Sequence, residues 1–534
     1  MLRISNFRTA ITEEQTIQEL VAKRLKIPVT AIRSVKCIRQ ALDARRKQNI
    51  SFVYTLDVET TLPERKVLTK LRHDKNVVIK EEDKPQSIVC GERKLSYRPI
   101  IVGFGPSGML AAYTLAQAGF RPIVLERGAD IDQRTKDVND FWQTGQLNIR
   151  SNVQFGEGGA GTFSDGKLTT RVNDSSMSEV LGLFVNFGAP DNILYAHKPH
   201  IGTDRLQQVV KNLRQKVIEL GGEVRFHSQV TGFTRSDTGS ITSLQLNGKE
   251  EIAADVVLFG IGNSARDTYE YLDKQGVALE AKPFAIGVRI EHSQQLIDVA
   301  QFGAWAGHPK LGAADYALVY HDRETKRTAY SFCMCPGGVV VAGASEAGQV
   351  VTNGMSSFAR ASGMANSALV VNVELTDFGP GNLAGIAFQR HYEKLAFELA
   401  GSNYCAPVQS VGSFLHRRDV NFFVQPTYRP GVKKGDLRQC LPDFVTATLA
   451  KALPEFGRKI KGFADDGVIM TGVETRTSAP VRIRRDNHFQ SENVGGLYPM
   501  GEGAGYAGGI MSAALDGLHV ANHIIATYGQ PVLK

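Results

Sequence analysis

The pattern of apolar and polar positions changes character near residue 98. Before that point, four short runs of alternating apolar and polar residues predict β-strands, at residues 2–7, 32–38, 51–58 and 77–80. An apolar stripe after Thr12 predicts a first helix, and residues 63–71 predict a second. The order βαββαβ predicts a separate α+β unit of the ferredoxin-like type over residues 1–97, which ends in a polar linker at residues 80–94.

After residue 98 the strands become wholly apolar, end in glycine-rich turns and run into helices, a pattern typical of a parallel α/β sheet. We predict that residues 98–274 form the first part of this sheet and that residues 486–534 return to it. Residues 275–485 are richer in alternating strands. They predict an inserted antiparallel-sheet domain that binds substrate.

Three features bear on where the protein works. Residues 99–120 carry no charge and are about long enough to cross a bilayer, but their glycines predict a buried strand and helix instead. The N-terminal residues lack the features of an export signal. Six cysteines are thinly spread over the chain, which is the usage of a reducing compartment. We therefore expect a cytoplasmic protein that is not inserted in a membrane.

The cysteines predict neither a metal site nor a CxxC redox pair. No Cys/His cluster has the spacing of zinc ligands. Cys333 and Cys335 are separated by one residue and would share one face of a strand. We predict that both are buried structural thiols, since free cysteine is commonly a core residue.

The net charge of +8 belongs to the N-terminal region. Residues 1–98 contain 21 Lys and Arg against 12 Asp and Glu, so the rest of the chain is close to neutral. A basic small unit can meet nucleic acid, an acidic partner or an anionic substrate. We favour a solvated charged face and keep nucleic acid as an alternative partner.

The strongest chemical signal is a glycine motif between an apolar strand and a helix. Gly103, Gly105 and Gly108 form the pattern GxGxxG. The first glycine permits a tight turn, the second lets the backbone approach a pyrophosphate, and the third lets the helix pack on the strand. Glu126 ends the next strand, where its carboxylate can accept hydrogen bonds from ribose hydroxyls. With the phosphate-binding N-terminus of the helix, the motif predicts a dinucleotide site.

This region resembles the FAD-binding flavoproteins of the glutathione-reductase structural class. The segments Glu126-Arg127-Gly128 and FGEGGAGTFSDGKL (155–168) resemble the branch whose substrate domain is an insertion, as in fumarate-reductase-like dehydrogenases. Residues 98–534 are most similar to a bacterial family of FAD-dependent dehydrogenases without an assigned substrate. The resemblance implies an α/β fold in which a Rossmann-type FAD-binding domain carries an inserted antiparallel-sheet substrate domain.

The resemblance also implies which residues contact FAD. They are Gly103, Gly105, Pro106, Ser107, Gly108, Glu126, Arg127, Gly159, Gly161, Val230, Gly260, Gly262, Gly501, Glu502, Gly508, Gly509 and Ile510. Glu502 stands where the family usually has aspartate. The helix after Gly509 would direct its N-terminus at the flavin ring and stabilise the negative reduced form.

The segment GIGNSA, residues 260–265, has two interpretations. It resembles the turn that returns the chain to the FAD sheet, and it also resembles the NADPH motif of two-nucleotide flavoenzymes. The absence of a CxxC dithiol and the short distance between the motifs favour the return turn.

No acid or base stands out as catalytic, because hydride chemistry belongs to the flavin and the protein chiefly orients the substrate. Lys167, Arg289 and Arg476 are candidates for substrate contact, and His200 and His391 are predicted to be structural. We predict an FAD-dependent dehydrogenase or reductase for a small or lipid-like molecule, with NADH or NADPH as a transient electron donor. The alternatives are an RNA-associated flavoprotein, recruited through the basic N-terminal unit, and a structural or regulatory role for FAD.

Overall fold

The computed structural model describes residues 1–71, 74–80, 89–416 and 418–531. The N-terminal unit is a four-stranded sheet with two helices. Its elements are β1 (Leu2–Ala10), α1 (Ile17–Leu25), β2 (Ile32–Asp43), β3 (Ser51–Thr60), α2 (Glu64–Lys70) and β4 (Val77–Ile79). The strand order β2-β3-β1-β4, with each neighbouring pair antiparallel, is that of a ferredoxin-like sandwich.

The first helix begins later than the acids after Thr12 predict. Its N-cap is Thr16, whose Oγ1 accepts a hydrogen bond from the Glu19 N–H at 3.3 Å. The Glu19 carboxylate accepts one from the Thr16 N–H at 2.8 Å. This reciprocal pair is a capping box, and its Thr-x-x-Glu signature is present in the sequence.

The remaining elements follow in three ranges of the chain. Residues 98–274 contain β5 (Ile100–Val102), α3 (Pro106–Gln117), β6 (Ile123–Leu125), α4 (Ile131–Thr144), α5 (Met177–Asn186), α6 (Thr203–Glu219), β7 (Glu223–Arg225), β8 (Val230–Arg235), β9 (Ile241–Leu246), β10 (Glu250–Ala253), β11 (Val257–Phe259) and α7 (Arg266–Lys274). Residues 275–485 contain β12 (Leu279–Ala281), β13 (Phe284–Ser293), α8 (Gln294–Phe302), β14 (Val319–His321), β15 (Thr328–Cys335), β16 (Val339–Ala342), β17 (Thr352–Met355), β18 (Met364–Val373), α9 (Leu375–Phe378), α10 (Ala384–Leu399), β19 (Ala406–Ser410), α11 (Val411–His416), β20 (Val432–Lys434), α12 (Asp443–Lys459), β21 (Ile469–Glu474) and β22 (Val481–Ile483). They are followed by β23 (Leu497–Pro499) and α13 (Ile510–Thr527).

A five-stranded parallel sheet positions the glycine motifs. Its order is β23-β11-β5-β6-β7, so the last strand of the chain returns to the sheet that β5 begins. The helices α3 and α13 cross closely on this sheet, because Gly517 has no side chain: a Cβ there would lie 2.1 Å from the Ser107 carbonyl oxygen. The strands are short and fully buried except β7, as expected for a parallel sheet with covered faces.

The inserted region is built on a seven-stranded sheet of order β14-β15-β18-β13-β21-β19-β20. Its neighbouring strands are antiparallel, except that β19 and β20 are parallel. The alternating sequence pattern does not predict this parallel pair. The largest hydrophobic core lies against this sheet and includes Ile11 and Ile50 of the N-terminal unit. The N-terminal unit is therefore packed onto the insertion.

The segment before residue 98 is not simply a linker. Residues 81–88 of the predicted linker lie outside the described residues. The Gly91 N–H donates to the Ile525 carbonyl at 2.9 Å, and Leu95 is buried in the core of the parallel-sheet unit. We therefore move the start of that unit from residue 98 to about Gly91.

None of the helices in the described ranges combines the length and apolar composition needed to cross a membrane. The uncharged residues 99–120 form β5 and α3, which are buried in the core of the parallel-sheet unit.

Candidate functional site

One cavity brings together most of the residues implied to contact the cofactor. It opens at the carboxyl ends of β5, β6 and β11, where ligands bind in open parallel sheets. The implied residues that line it are Gly103, Gly105, Pro106, Ser107, Glu126, Arg127, Gly159, Gly161, Val230, Gly260, Gly262, Glu502, Gly508, Gly509 and Ile510. Gly108 and Gly501 lie behind this lining and pack against the backbone of Gly103 and the side chain of Ser107.

The turn after β5 requires glycine for two different reasons. Gly103 has a φ of +91°, and a Cβ there would lie 2.3 Å from the Gly260 carbonyl oxygen, so no other residue fits. A Cβ on Gly105 would make an ordinary van der Waals contact with Cα of Gly159 at 3.7 Å, and Gly105 lines the cavity. The first glycine shapes the turn, and the second keeps the backbone at the surface of the cavity.

Glu126 is buried and holds three loops together at the end of β6. One carboxylate oxygen accepts a hydrogen bond from the Phe104 N–H at 2.8 Å. The other accepts from the N–H groups of Gly128 at 2.8 Å and Gly156 at 3.0 Å. The sequence predicts an acid for ribose, and the structure adds that the same carboxylate fixes the turns around the cavity.

Arg127 is held in the cavity wall rather than left mobile. Its guanidinium makes two hydrogen bonds to Asp267, at 2.9 and 2.8 Å, and lies 4.0 Å from the centre of the Phe155 ring. This cation–π contact and the paired geometry fix the planar group in the cavity lining, and Gln229 Nε2 donates to the same Asp267 carboxylate at 2.7 Å.

A fully buried arginine organises the glycine-rich loop that begins at residue 155. Arg134 of α4 donates hydrogen bonds to the carbonyl oxygens of Asn152, Val153, Gly156 and Glu157, at 2.6–3.3 Å. Burial lowers the pKa of Arg134 to about 10, so it stays charged at neutral pH. The sequence pattern does not single out Arg134, because its spacing from the loop is that of an ordinary helical residue.

Gly260 and Gly262 follow β11, which pairs with β5 in the same sheet. This placement agrees with the return-turn interpretation of GIGNSA. The five-stranded sheet is the one all-parallel sheet of three or more strands among the described residues, so the part of the chain described here offers no second sheet for a separate nucleotide.

The C-terminal motif supplies an acid and a second helix N-terminus. Asn263 Nδ2 donates to Glu502 Oε1 at 2.7 Å. Burial raises the pKa of Glu502 to about 7, and the hydrogen bond from Asn263 opposes the rise. Over Gly508 and Gly509, no heavy atom of the described chain lies within 4 Å of an ideal Cβ, so this end of the cavity is open.

These features fit FAD. The N-termini of α3 and α13 both meet the cavity, and within the described part of the chain no side chain caps either helix. Free N–H groups at a helix N-terminus bind phosphate and stabilise negative charge. The open space over Gly508 and Gly509 gives room for a bound cofactor.

The three candidates for substrate contact have different surroundings. Lys167 lines the cavity, and its nearest ion-pair partner is Asp165 at 3.9 Å. Arg476 also lines the cavity, but its guanidinium is tied to the buried carboxylate of Glu393 at 3.2 Å. Arg289 is fully buried and is not part of the lining, which is a correction to its prediction as a substrate contact. Its guanidinium pairs with Glu474 at 3.3 Å.

Several lining residues come from the inserted region and have no sequence signal of their own. Glu474 ends β21, and Thr352 and Asn353 begin β17. The Thr352 hydroxyl donates to Glu474 at 3.1 Å. Burial raises the pKa of Glu474 to about 7, and the charge of Arg289 opposes the rise. The sequence GVETRTSAP contains this acid two residues before Arg476, and only the structure shows that it faces the cavity.

Cys333 and Cys335, which the sequence predicts to be buried together, have different environments in the structure. Cys335 is fully buried, as predicted, but Cys333 is only partly buried and lines the cavity. Neither His200 nor His391 lines it. His200 Nε2 lies 3.1 Å from the Phe358 carbonyl oxygen, and burial lowers its pKa.

Two family models match the chain. Residues 283–477 match "FAD-dependent protein, C-terminal domain-like", and residues 1–59 match "Domain of unknown function (DUF8436)". With the cavity described above, the first match defines the class: this is an FAD-dependent flavoprotein, and FAD is its cofactor.

The chain is 49% identical over 534 residues to an uncharacterized protein of Clostridium beijerinckii, with 99% of each chain covered. It belongs to the same family as that protein.

Solved structures with a similar course of the chain include the flavin-dependent brominase Bmp2 and PqsL of P. aeruginosa in complex with 2-aminobenzoylacetate. Bmp2 is 12% identical with a TM-score of 0.38, over 80% of this chain and 77% of that one. PqsL is 13% identical with a TM-score of 0.32, over 80% and 83%. Likeness at this level assigns no activity.

Proposed function

We propose that this protein is an FAD-dependent oxidoreductase that transfers hydride to or from a small organic molecule. The shared cavity carries the proposal, because the glycines that fit FAD and polar side chains of the inserted region line the same space. A purely structural FAD would give no reason for Lys167, Asn353 and Glu474 to meet there. The chemical groups present would bind a molecule with a polar or anionic end and an apolar body, since Phe332 and Val351 also line the cavity.

FAD supplies the two-electron chemistry when it is bound. The chain's own residues bind the substrate, orient it and manage protons. Lys167 offers a cation whose ion-pair partner among the described residues is Asp165, at 3.9 Å. Glu474, whose raised pKa lies near neutral pH, can hold a proton or accept one from a substrate hydroxyl or amine. Arg289 acts through Glu474, by holding its carboxylate in place from behind.

The purified protein is expected to be yellow and to release FAD, rather than FMN, when it is denatured. The reason is that the first glycine motif, Val230 and the C-terminal glycines line one cavity, which suits both halves of the dinucleotide. Chromatography of the released flavin measures this. Protein that is colourless and takes up no flavin absorbance from added FAD would contradict the proposal.

Anaerobic titration with NADH and NADPH then tests the oxidoreductase itself. Bleaching of the bound flavin by either nucleotide supports an enzyme that takes electrons from nicotinamide. If neither nucleotide bleaches the flavin, the result favours a structural or regulatory role for FAD over an enzyme that takes electrons from nicotinamide.

Glu474→Gln is expected to change how stability depends on pH. In the folded protein the pKa of Glu474 is about 7, above the unfolded value of about 4.3. The folded state therefore binds the extra proton between these values, and this group's contribution to stability falls as pH rises from 5 to 7, by up to about 1.4 kcal/mol per pH unit. Glutamine has no proton to lose in this range, so the variant lacks this decrease of the free energy of unfolding with pH. Urea unfolding at pH 5, 6, 7 and 8 measures it.

Glu291→Gln is the matched control for that experiment. Burial raises the pKa of Glu291 to about 6, but Glu291 does not line the cavity. An added anionic ligand should therefore change the pH dependence of the free energy of unfolding that Glu474 contributes. The pH dependence that Glu291 contributes should stay the same. A difference between the parent protein and Glu474→Gln that stays constant from pH 5 to pH 8 would remove Glu474 as the proton-holding group.

A further inference from the structure

A β-bulge gives Cys333 its place in the cavity. Along β15 and β18, Phe332 lies opposite Ala368 and Cys335 opposite Asn366, so β15 has one extra residue between these pairs. Cys333 has a φ of +44°, a left-handed conformation that residues other than glycine rarely adopt. Bulges re-aim side chains and are over-represented next to active sites. Here the extra residue puts Cys333 in the cavity lining, while Cys335 is buried.

The two thiols are close enough to interact. The Cys335 thiol donates a hydrogen bond to the carbonyl oxygen of Cys333, at a distance of 3.4 Å from Sγ. A Cβ on Gly354 would lie 2.8 Å from Sγ of Cys335, so a glycine there lets β17 pack directly on this thiol. The pair is enclosed on one side and open to the cofactor cavity on the other.

The surroundings favour a thiolate at Cys333. The interaction with the Cys335 side chain and the positive charges of Lys167 and Arg289 lower the pKa of Cys333, against the opposing effect of burial and of Asp165. The interaction with the Cys333 side chain and burial raise the pKa of Cys335. A low-pKa thiol that solvent can reach, next to a protonated one, is the arrangement of an attacking and a resolving cysteine.

We propose that Cys333 and Cys335 are a redox pair that exchanges two electrons with the bound flavin. In the oxidising direction, the Cys333 thiolate and the Cys335 thiol form one S–S bond and the S–H bond of Cys335 breaks. Two electrons and that proton pass to oxidised FAD, which becomes its singly protonated anionic reduced form. The reverse reaction returns the thiolate and the thiol. The inference rests on the proposed oxidoreductase function and gives it a second electron store.

Dithionite titration of the holoprotein tests the pair. Air-oxidised protein is expected to take up four electrons per FAD, two for the flavin and two for the disulfide, because a disulfide is a two-electron couple. Cys333→Ser and Cys335→Ser should each take up two. The control is Cys440→Ser, which removes a buried thiol outside the cavity lining, and it should still take up four.

Mass spectrometry of the unmodified chain gives the same answer without a variant. Oxidised protein is denatured in iodoacetamide, and a peptide with Cys333 and Cys335 joined supports the pair. In the reduced protein, Cys333 should be alkylated at lower pH than the exposed Cys90. Uptake of two electrons by the parent protein, together with alkylation of both cysteines after air oxidation, overturns the proposal. Dithionite reduces a flavin whatever its biological partner, so this result is independent of the nicotinamide titration.

Discussion

Glu126→Ala is expected to yield protein that no longer retains FAD and whose free energy of unfolding is lower by about 3 kcal/mol or more. The Glu126 carboxylate accepts hydrogen bonds from three backbone N–H groups, those of Phe104, Gly128 and Gly156. A buried donor without a partner costs roughly 1–3 kcal/mol, and a charge-assisted contact to the ribose would be lost as well. Urea unfolding of the apoprotein and FAD affinity by fluorescence quenching measure the two effects.

Two variants separate the possible causes. Glu126→Gln keeps an acceptor for Gly128 and Gly156 but turns an NH₂ group toward the Phe104 N–H, so an intermediate loss is expected. Glu250→Ala removes an exposed carboxylate on β10 that pairs with Arg225 at 3.3 Å, and its effect should stay within about 0.5 kcal/mol. Glu126→Ala protein that binds FAD with the affinity of the parent would mean that this carboxylate does not serve the cofactor.

Gly508→Asp is expected to lower the reduction potential of the flavin or to weaken FAD binding. Gly508 precedes the N-terminus of α13, where its N–H donates to the Ser512 hydroxyl at 3.2 Å. No described heavy atom lies within 4 Å of a Cβ at Gly508, so the new side chain can be built without a clash in the protein itself. A carboxylate there would occupy the positive end of the helix and oppose the negative charge that flavin reduction adds.

Gly508→Asn is the matched control, because asparagine has nearly the same size without the charge. We expect the two variants to differ by about 1 kcal/mol, which is roughly 20 mV for a two-electron couple. Spectroelectrochemical titration of both variants and the parent measures this. If both variants keep FAD and both titrate at the parent potential, Gly508 is remote from the flavin and the C-terminal motif has another role.

The basic charge of the N-terminal unit has not been assigned to a partner, and an RNA-associated role stays a prediction. Several of its arginines form ion pairs within the unit, such as Arg3 with Asp57 at 2.7 Å and Arg24 with Asp74 at 2.5 Å. Internal pairing of this kind agrees with a solvated charged face. We therefore expect ligand binding at the cavity rather than at this surface.

Features that depend on neighbours along the chain could be predicted from the sequence alone. The pattern of strand, glycine turn and helix at residues 100–117 is local, so the cofactor motif could be predicted, although the distant Gly260 carbonyl also restricts the Gly103 position. The same holds for the return strand β23 and for α13, whose glycines precede the helix directly.

Which polar side chains line the cofactor cavity could not be predicted from the sequence, because burial and pairing depend on residues far apart along the chain. Arg289 looks like a substrate contact in sequence, but it pairs with Glu474, which is 185 residues away, and this leaves the acid rather than the arginine in the cavity. Cys333 lines the cavity because of a bulge defined by pairing with β18, which alternation along β15 does not predict. Packing between strands sets the direction and the desolvation of a side chain. The cofactor can therefore be inferred from the local glycine motif, whereas the residues of the substrate-facing wall cannot be inferred from the sequence.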